Sequence, residues 1–334
     1  MNSGQATRRA ACDPVLPARE EGAPAGGSRP HARPRRFGAR AQLFASGVCF
    51  GLMAVMVRLG SRGTTGFTAA QMSTVRFAIG IGMTLGLFCL VPGTFRPVRR
   101  WLLFTRGALG GVAVLLYFVA LARIPAGEAT LLNNVFPVIA TVLSFYTLGE
   151  RPTVHIALAL VVVSAGVFLV VGPGSPSIGL GVGELAGIGS AILGAGAVTS
   201  IRALRATDNA PTIFFAFCLG GIAVSAPFSF GAWPTGAATW ALAGAVGVLS
   251  FLAQILMTHA YGALTVAEAA LWQQLTPIAS YAWAMALLDE RLSRVGALGV
   301  LLGIAGVVYG SVLGHRPVGG RPGTTAVVEP VDPA

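Results

Sequence analysis

The chain has 334 residues, of which 54% are hydrophobic and only 10% are charged. Soluble domains carry about a quarter charged residues, so this composition excludes an ordinary soluble protein and predicts one embedded in the lipid bilayer. The net charge of +11 does not indicate nucleic-acid binding, because the arginines lie in a tail or in short gaps between apolar runs.

The chain begins with a basic tail. Residues 1–40 hold eight arginines among many Gly, Pro and Ala residues and contain no apolar run. This composition predicts a disordered segment rather than a secretory signal peptide. Residues 314–334 form a second, shorter predicted tail. The cysteines and histidines show no metal-ligand spacing, so neither a metal nor another cofactor is expected.

Ten apolar runs lie between the tails, each near the ~20 residues that a transmembrane helix needs. These segments one to ten span residues 41–60, 69–91, 101–122, 126–148, 153–172, 181–201, 211–230, 237–260, 264–288 and 293–313. With the N-terminus in the cytoplasm, sixteen arginines lie inside and five outside. The positive-inside rule therefore predicts a multi-pass protein of the cell (inner) membrane with both termini cytoplasmic.

Small residues recur at helical spacing in these segments. The pairs are Gly47/Gly51, Gly82/Gly86, Gly107/Gly111, Gly183/Gly187, Gly299/Gly303 and Gly306/Gly310. GxxxG spacing lets helix backbones approach closely in lipid. It predicts tight packing within the chain, with a homodimer as the alternative.

A repeat with an offset of 140 residues relates residues 41–172 to residues 181–313. The matched positions include Glu128/Glu268, Ala129/Ala269, Pro137/Pro277, Glu150/Glu290, Arg151/Arg291 and Gly166/Gly306. Each half holds five segments, an odd number, so the second half must enter the membrane from the opposite side. The sequence predicts an all-α membrane protein of ten transmembrane helices in two inverted five-helix repeats, as in many secondary transporters.

These features resemble the EamA-type families of the drug/metabolite transporter superfamily over about residues 41–313. The resemblance rests on the two five-segment halves, the matched Glu-Ala, Pro and Glu-Arg positions, and Arg76-Phe77 in segment two. It implies transport of a small metabolite without specifying which one. The second half departs from the first by carrying Ala216 at the position that matches Arg76.

Arg76 lies about seven residues into segment two, ~10 Å from the outer surface at 1.5 Å per residue. A guanidinium at that depth costs at least ~2.5 kcal/mol unless it is paired or hydrated. Its planar fork of donors suits a carboxylate, which makes Arg76 a candidate ligand for an anionic substrate group. The alternatives are a structural ion pair with Glu128 and snorkelling to the interface.

Segments four and nine carry paired amides followed by a proline at matched positions. These residues are Asn133, Asn134 and Pro137 in segment four, and Gln273, Gln274 and Pro277 in segment nine. A proline cannot donate to the carbonyl four residues earlier, so each helix is expected to break there and to line a substrate cavity near the bilayer midplane. The alternative is that the amides only bond neighbouring helices.

Four further residues lie near this polar zone. Trp272 is a candidate aromatic wall or a packing residue, and Tyr117 and His259 are candidate substrate contacts. Glu268 is a capping residue or, because no arginine matches Arg76 in its half, an unpaired carboxylate that takes part in proton coupling.

The pattern favours a secondary-active exporter or exchanger of a small polar or amphipathic metabolite, driven by a proton gradient or by exchange. Its expected partners are that substrate and the lipid bilayer, with no nucleic acid. An intramembrane enzyme is not expected, because HExxH and GxSxG motifs are absent from the sequence. A non-transporting multi-pass scaffold or subunit is the remaining alternative.

Overall fold

The computed structural model describes residues 36–60, 66–124, 129, 132–171, 181–288 and 294–314, and every regular element within these ranges is helical. In chain order the helices are α1 (Arg36–Gly60), α2 (Ala69–Leu90), α3 (Arg100–Arg123), α4 (Phe136–Leu148), α5 (Val154–Val171), α6 (Val182–Leu204), α7 (Ala210–Ser225), α8 (Ala237–Ala260), α9 (Val266–Gln273), α10 (Leu275–Leu288) and α11 (Arg294–Leu313). A short 3-10 helix, Ala226–Phe228, follows α7.

The helices coincide closely with the apolar segments. Seven of them, α1, α2, α3, α6, α7 with its 3-10 extension, α8 and α11, are long and apolar enough to cross a membrane, while α4 and α5 are shorter apolar helices. One boundary differs, because α1 begins at Arg36, so residues 36–40 are helical and do not belong to a disordered tail. Residues 1–35 and 315–334 of the predicted tails lie outside the described residues.

The most extensive helix contacts join the two halves of the sequence. Helix α1 of the first half packs on α8 of the second half, and the repeat-related pair, α6 and α3, also packs together. The contact of α3 with α7 is likewise matched by that of α8 with α2. Helices that correspond to each other under the repeat also pack together, α2 with α7 and α5 with α11. The halves therefore interlock and share their cores.

Glycines set the closest of these contacts. A Cβ atom at Gly107 would lie 2.6 Å from a backbone carbonyl oxygen of α7. At the repeat-related Gly247, a Cβ would lie 2.6 Å from an isoleucine side chain of α2. At both positions a larger residue would overlap the neighbouring helix, so glycine permits this close packing. The expectation of close packing is wrong for Gly82 and Gly86, which have nothing within 4 Å of a Cβ.

Two ion pairs join the halves where α9 begins. Glu268, in the first turn of α9, binds Arg40 of α1 with 2.6 Å between Oε1 and Nη2. Glu150, which follows α4, binds Arg202 of α6 with 2.8 Å between Oε1 and Nε. The second oxygen of Glu150 accepts a hydrogen bond from the backbone N–H of Val266, the first residue of α9, at 2.8 Å. The N-terminus of α9 is thus held by both ion pairs.

Candidate functional site

Segments four and nine are each interrupted just before their proline. In the first half, a turn that includes Asn134 separates a short helical stretch from α4. In the second half, α9 ends at Gln273 and α10 begins at Leu275. Because Pro137 and Pro277 have no N–H, each interruption falls where the ladder of helical hydrogen bonds lacks a donor.

The two interruptions border one cavity of about 190 Å³ between the halves. Six of the residues singled out from the sequence line it: Arg76, Tyr117, Asn133, Asn134, Gln273 and Pro277. The remaining wall is largely apolar and includes Phe50, Met53 and Met257. A mostly apolar chamber with a few convergent polar groups is typical of a binding site for a small organic molecule.

Arg76 lies in this cavity wall with only 4% of its surface exposed. Its Nε donates a hydrogen bond to Oγ of Ser250 in α8. This buried position does not fit snorkelling to the membrane interface. Glu128, the expected partner of a structural ion pair, lies outside the described residues.

The amides at the interruptions are only partly satisfied by the protein. Oδ1 of Asn133 accepts a hydrogen bond from Ser190 Oγ at 2.9 Å. Nδ2 of Asn134 and Oε1 of Gln273 are buried and have no hydrogen-bond partner among the described residues. An unsatisfied buried polar group costs about 1–3 kcal/mol. Bonding between neighbouring helices therefore does not account for these two atoms, and both residues line the cavity.

Four of the sequence-derived candidates lie apart from the cavity lining: Gln274, Trp272, His259 and Pro137. Gln274 is fully buried and donates to Ser164 Oγ at 3.2 Å. His259 Nδ1 lies 3.0 Å from Oε1 of Gln42, and Trp272 packs against two hydrophobic clusters. Helix geometry explains why some candidates line the cavity and others do not, because adjacent residues such as Gln273 and Gln274 point to different sides of a helix.

Glu268 is not the unpaired carboxylate that the sequence suggested. It binds Arg40 of α1, a residue from the other half and far away in sequence, and the pair lies outside the cavity lining. The backbone N–H of Glu268 also donates a hydrogen bond to Oγ1 of Thr265, the N-cap residue of α9, at 3.2 Å. A role in proton coupling stays a prediction, and the pH dependence of transport by Glu268→Gln tests it.

The sequence profile of the EamA-like transporter family matches this chain twice, at residues 41–172 and at residues 181–311. The chain belongs to the EamA-like transporter family. The family resemblance inferred from the repeat is thereby confirmed. As members of this family are transporters, this is a multi-pass membrane protein with a transport function.

Individual relatives agree with this assignment. The pseudopaline exporter CntI of Pseudomonas aeruginosa strain UCBPP-PA14 is 31% identical over 229 residues, which cover 66% of this chain and 79% of the relative. An uncharacterized transporter of Helicobacter pylori strain J99 is 27% identical over 231 residues, which cover 64% of this chain and 74% of the relative. One solved crystal structure superposes with a TM-score of 0.72 at 19% identity, covering 84% of this EamA-like transporter and 98% of that chain, and so shares its fold.

A second arginine in the cavity of this EamA-like transporter was not singled out from the sequence. Arg106 of α3 is 3% exposed, and its guanidinium carbon lies 4.0 Å from the ring centroid of Phe217. Its Nη2 donates to Gln254 Oε1 at 3.4 Å, while Nε has no partner among the described residues. The signal that could have revealed it is a charge within an apolar run, as for Arg76.

The two halves of the EamA-like transporter contribute unequally to the site. The repeat positions that match Arg76 and Arg106 are Ala216 and Val246. Both guanidiniums in the described cavity wall therefore come from the first half, and the second half supplies neutral acceptors such as Ser250. Several helix contacts occur in repeat-related pairs, but the charged residues of the cavity wall do not.

Proposed function

We propose that this EamA-like transporter is a secondary-active exporter that moves a small polar or amphipathic metabolite by alternating access. The observation that carries the proposal is the cavity between the halves. It combines an apolar wall with buried polar atoms of Asn134 and Gln273 that the described protein leaves without partners. Such a chamber suits a molecule with both polar and apolar parts.

Export rather than import is supported by the relatives from two strains of Pseudomonas aeruginosa, both named as exporters. Exchange with a second metabolite and coupling to protons are both compatible with the cavity. The family and the relatives also favour transport over intramembrane catalysis.

The proposed architecture has ten spans in two inverted halves. Among the described residues seven helices, counting α7 with its 3-10 extension, are long enough to form a span. The remaining three spans would be α4 with the residues before it, α5, and α9 together with α10. At 1.5 Å per residue, α9 and α10 together extend about 33 Å, which matches the hydrocarbon core of about 30 Å.

The larger number of arginines on the side of the N-terminus supports a protein of the cell membrane with both termini in the cytoplasm. Residues 1–35 and 315–334 would then form the cytoplasmic tails. The packing of helices in repeat-related pairs supports the relation between the halves that alternating access requires.

The test is efflux from vesicles loaded with a panel of labelled metabolites, with and without a proton gradient. Gln273→Leu and Asn134→Leu preserve size and remove the unpartnered polar atoms, so they should slow efflux of the substrate. Gln42→Leu is the matched control, because Gln42 is an amide outside the cavity lining that bonds His259.

Efflux that is slowed by both cavity substitutions and unaffected by the control is the expected result. Equal efflux by all variants would remove the cavity from the mechanism. Absence of efflux for every class of metabolite, in protein shown to be inserted and folded, would favour the non-transporting scaffold instead.

A further inference from the structure

The cavity contains two cationic groups and, in the part of the chain that the structure describes, no carboxylate to balance them. Arg76 and Arg106 both line it. The described carboxylates all lie at or beyond helix ends, away from the cavity lining: Glu150, Glu184, Asp208 and Glu268. A buried charge without a counter-charge is strongly destabilising, so these guanidiniums call for an anion.

An aromatic pair orients the two guanidiniums. Phe77 of α2 and Phe217 of α7 pack edge to face with ring centroids 5.0 Å apart. The guanidinium carbon of Arg106 lies 4.0 Å from the centroid of Phe217, and that of Arg76 lies 5.4 Å from the centroid of Phe77. A guanidinium placed over a ring keeps the N–H groups in its plane available for other partners.

Neither guanidinium has all of its N–H donors bonded by the part of the chain that the structure describes. Arg76 donates through Nε to a serine hydroxyl, and Arg106 donates one long hydrogen bond to Gln254 while its Nε has no partner among the described residues. Both acceptors are neutral, so within the described ranges no counter-charge compensates the two guanidiniums. Each guanidinium retains N–H donors that can bind a carboxylate. Such charge-assisted hydrogen bonds are stronger than hydrogen bonds between neutral groups.

We propose, on the basis of the transport function above, that the substrate carries two anionic groups, one bound by Arg76 and the other by Arg106. The substrate class is then an organic dianion, such as a dicarboxylate, whose connecting carbon atoms lie against the apolar wall that includes Phe50 and Met53. A substrate with a single anionic group would leave one buried guanidinium without a counter-charge.

The test measures binding by titration calorimetry to the purified full-length protein in lipid nanodiscs. The probes are linear dicarboxylates of three to eight carbons, together with the monoamide and the diamide of each. Within a set the three molecules have nearly the same shape and differ in charge. Wild-type protein should bind the best dicarboxylate at least about tenfold more tightly than its monoamide, since one charge-assisted pair is worth more than about 1.4 kcal/mol.

Arg106→Gln should abolish the preference for the dicarboxylate over the monoamide, and Arg106→Lys should retain part of it. Arg100→Gln is the matched control, because Arg100 is an exposed arginine at the start of the same helix, and it should leave the preference unchanged. The wild-type charge series stands on its own where an Arg106 variant fails to fold.

Equal affinity for dicarboxylate and monoamide, no binding of any dicarboxylate in the series, or a preference that survives Arg106→Gln would each overturn the dianion assignment. These results would refute the dianion without refuting the proposed transport function. Efflux of a neutral or cationic metabolite would leave export standing and refute the dianion, whereas absence of all efflux would refute export itself.

Discussion

The ion pair between Arg40 and Glu268 is expected to hold the transporter closed at the end of the bundle where α9 begins. It joins α1 of one half to α9 of the other, and α9 leads directly to the cavity residue Gln273. The perturbation is Glu268→Gln, which retains the shape of the side chain and removes its charge. We expect this substitution to favour the state that is open at this end.

The magnitude follows from the burial of the pair. The side chains of Arg40 and Glu268 are 17% and 11% exposed, so the pair is neither fully buried nor at the open surface. Breaking a buried pair costs about 3–5 kcal/mol, and an exposed pair contributes about 0–1 kcal/mol. If the substitution destabilises the closed state by about 2 kcal/mol and leaves the open state unchanged, the ratio of open to closed protein rises about 30-fold.

The assay is the rate at which a membrane-impermeant thiol reagent labels a cysteine placed in the cavity. Ser280→Cys supplies the target, because Ser280 lines the cavity, in a background without native cysteines. Labelling from the side of the N-terminus should be much faster in Glu268→Gln. Arg151→Gln is the control, since it removes an exposed charge just after Glu150.

The charge-exchanged variant Arg40→Glu/Glu268→Arg should restore slow labelling, since it rebuilds the pair. A rise in labelling of less than about threefold in correctly inserted Glu268→Gln, which corresponds to less than about 0.7 kcal/mol, would refute a role of this pair in closure. Equal acceleration of labelling by Arg151→Gln would also refute this role, because the effect would then not be specific to the pair of Arg40 and Glu268.

Three other predictions concern packing, topology and the site. Gly220→Ala should lower the free energy of unfolding in detergent by about 1–3 kcal/mol or more, because the added Cβ would overlap the backbone of Gly107. Gly82→Ala should be neutral or slightly stabilising, because its Cβ meets nothing within 4 Å. Cys12 in the N-terminal tail should resist impermeant thiol reagents on intact cells and react after lysis; labelling on intact cells would contradict cytoplasmic placement. Arg76→Lys should keep the protein folded and slow transport by about tenfold or more, because an ammonium lacks the planar fork; wild-type transport by both Arg76→Lys and Arg76→Ala would exclude a substrate contact.

The sequence alone was sufficient for the class of protein and the positions of its helices. Apolar runs of about 20 residues have few stable conformations in lipid other than helices, so their placement follows from local composition. The repeat and the matched residues around Pro137 and Pro277 also pointed to the family that the profile confirms. The same prolines indicated where segments four and nine are interrupted, because a missing N–H acts on its own helix.

The tertiary structure decided which polar residues share the site. Arg106 meets Phe217 and Gln254, which lie more than a hundred residues away in the sequence, and no local pattern reveals such a contact. Gln273 and Gln274 are chemically identical neighbours, yet only the first lines the cavity. The half that contains Glu268 has no arginine at the position that matches Arg76, and the partner of Glu268, Arg40, comes from the other half. Local composition places a residue along a helix, but its partners depend on how interlocked helices pack, and that packing results from contacts between distant parts of the chain.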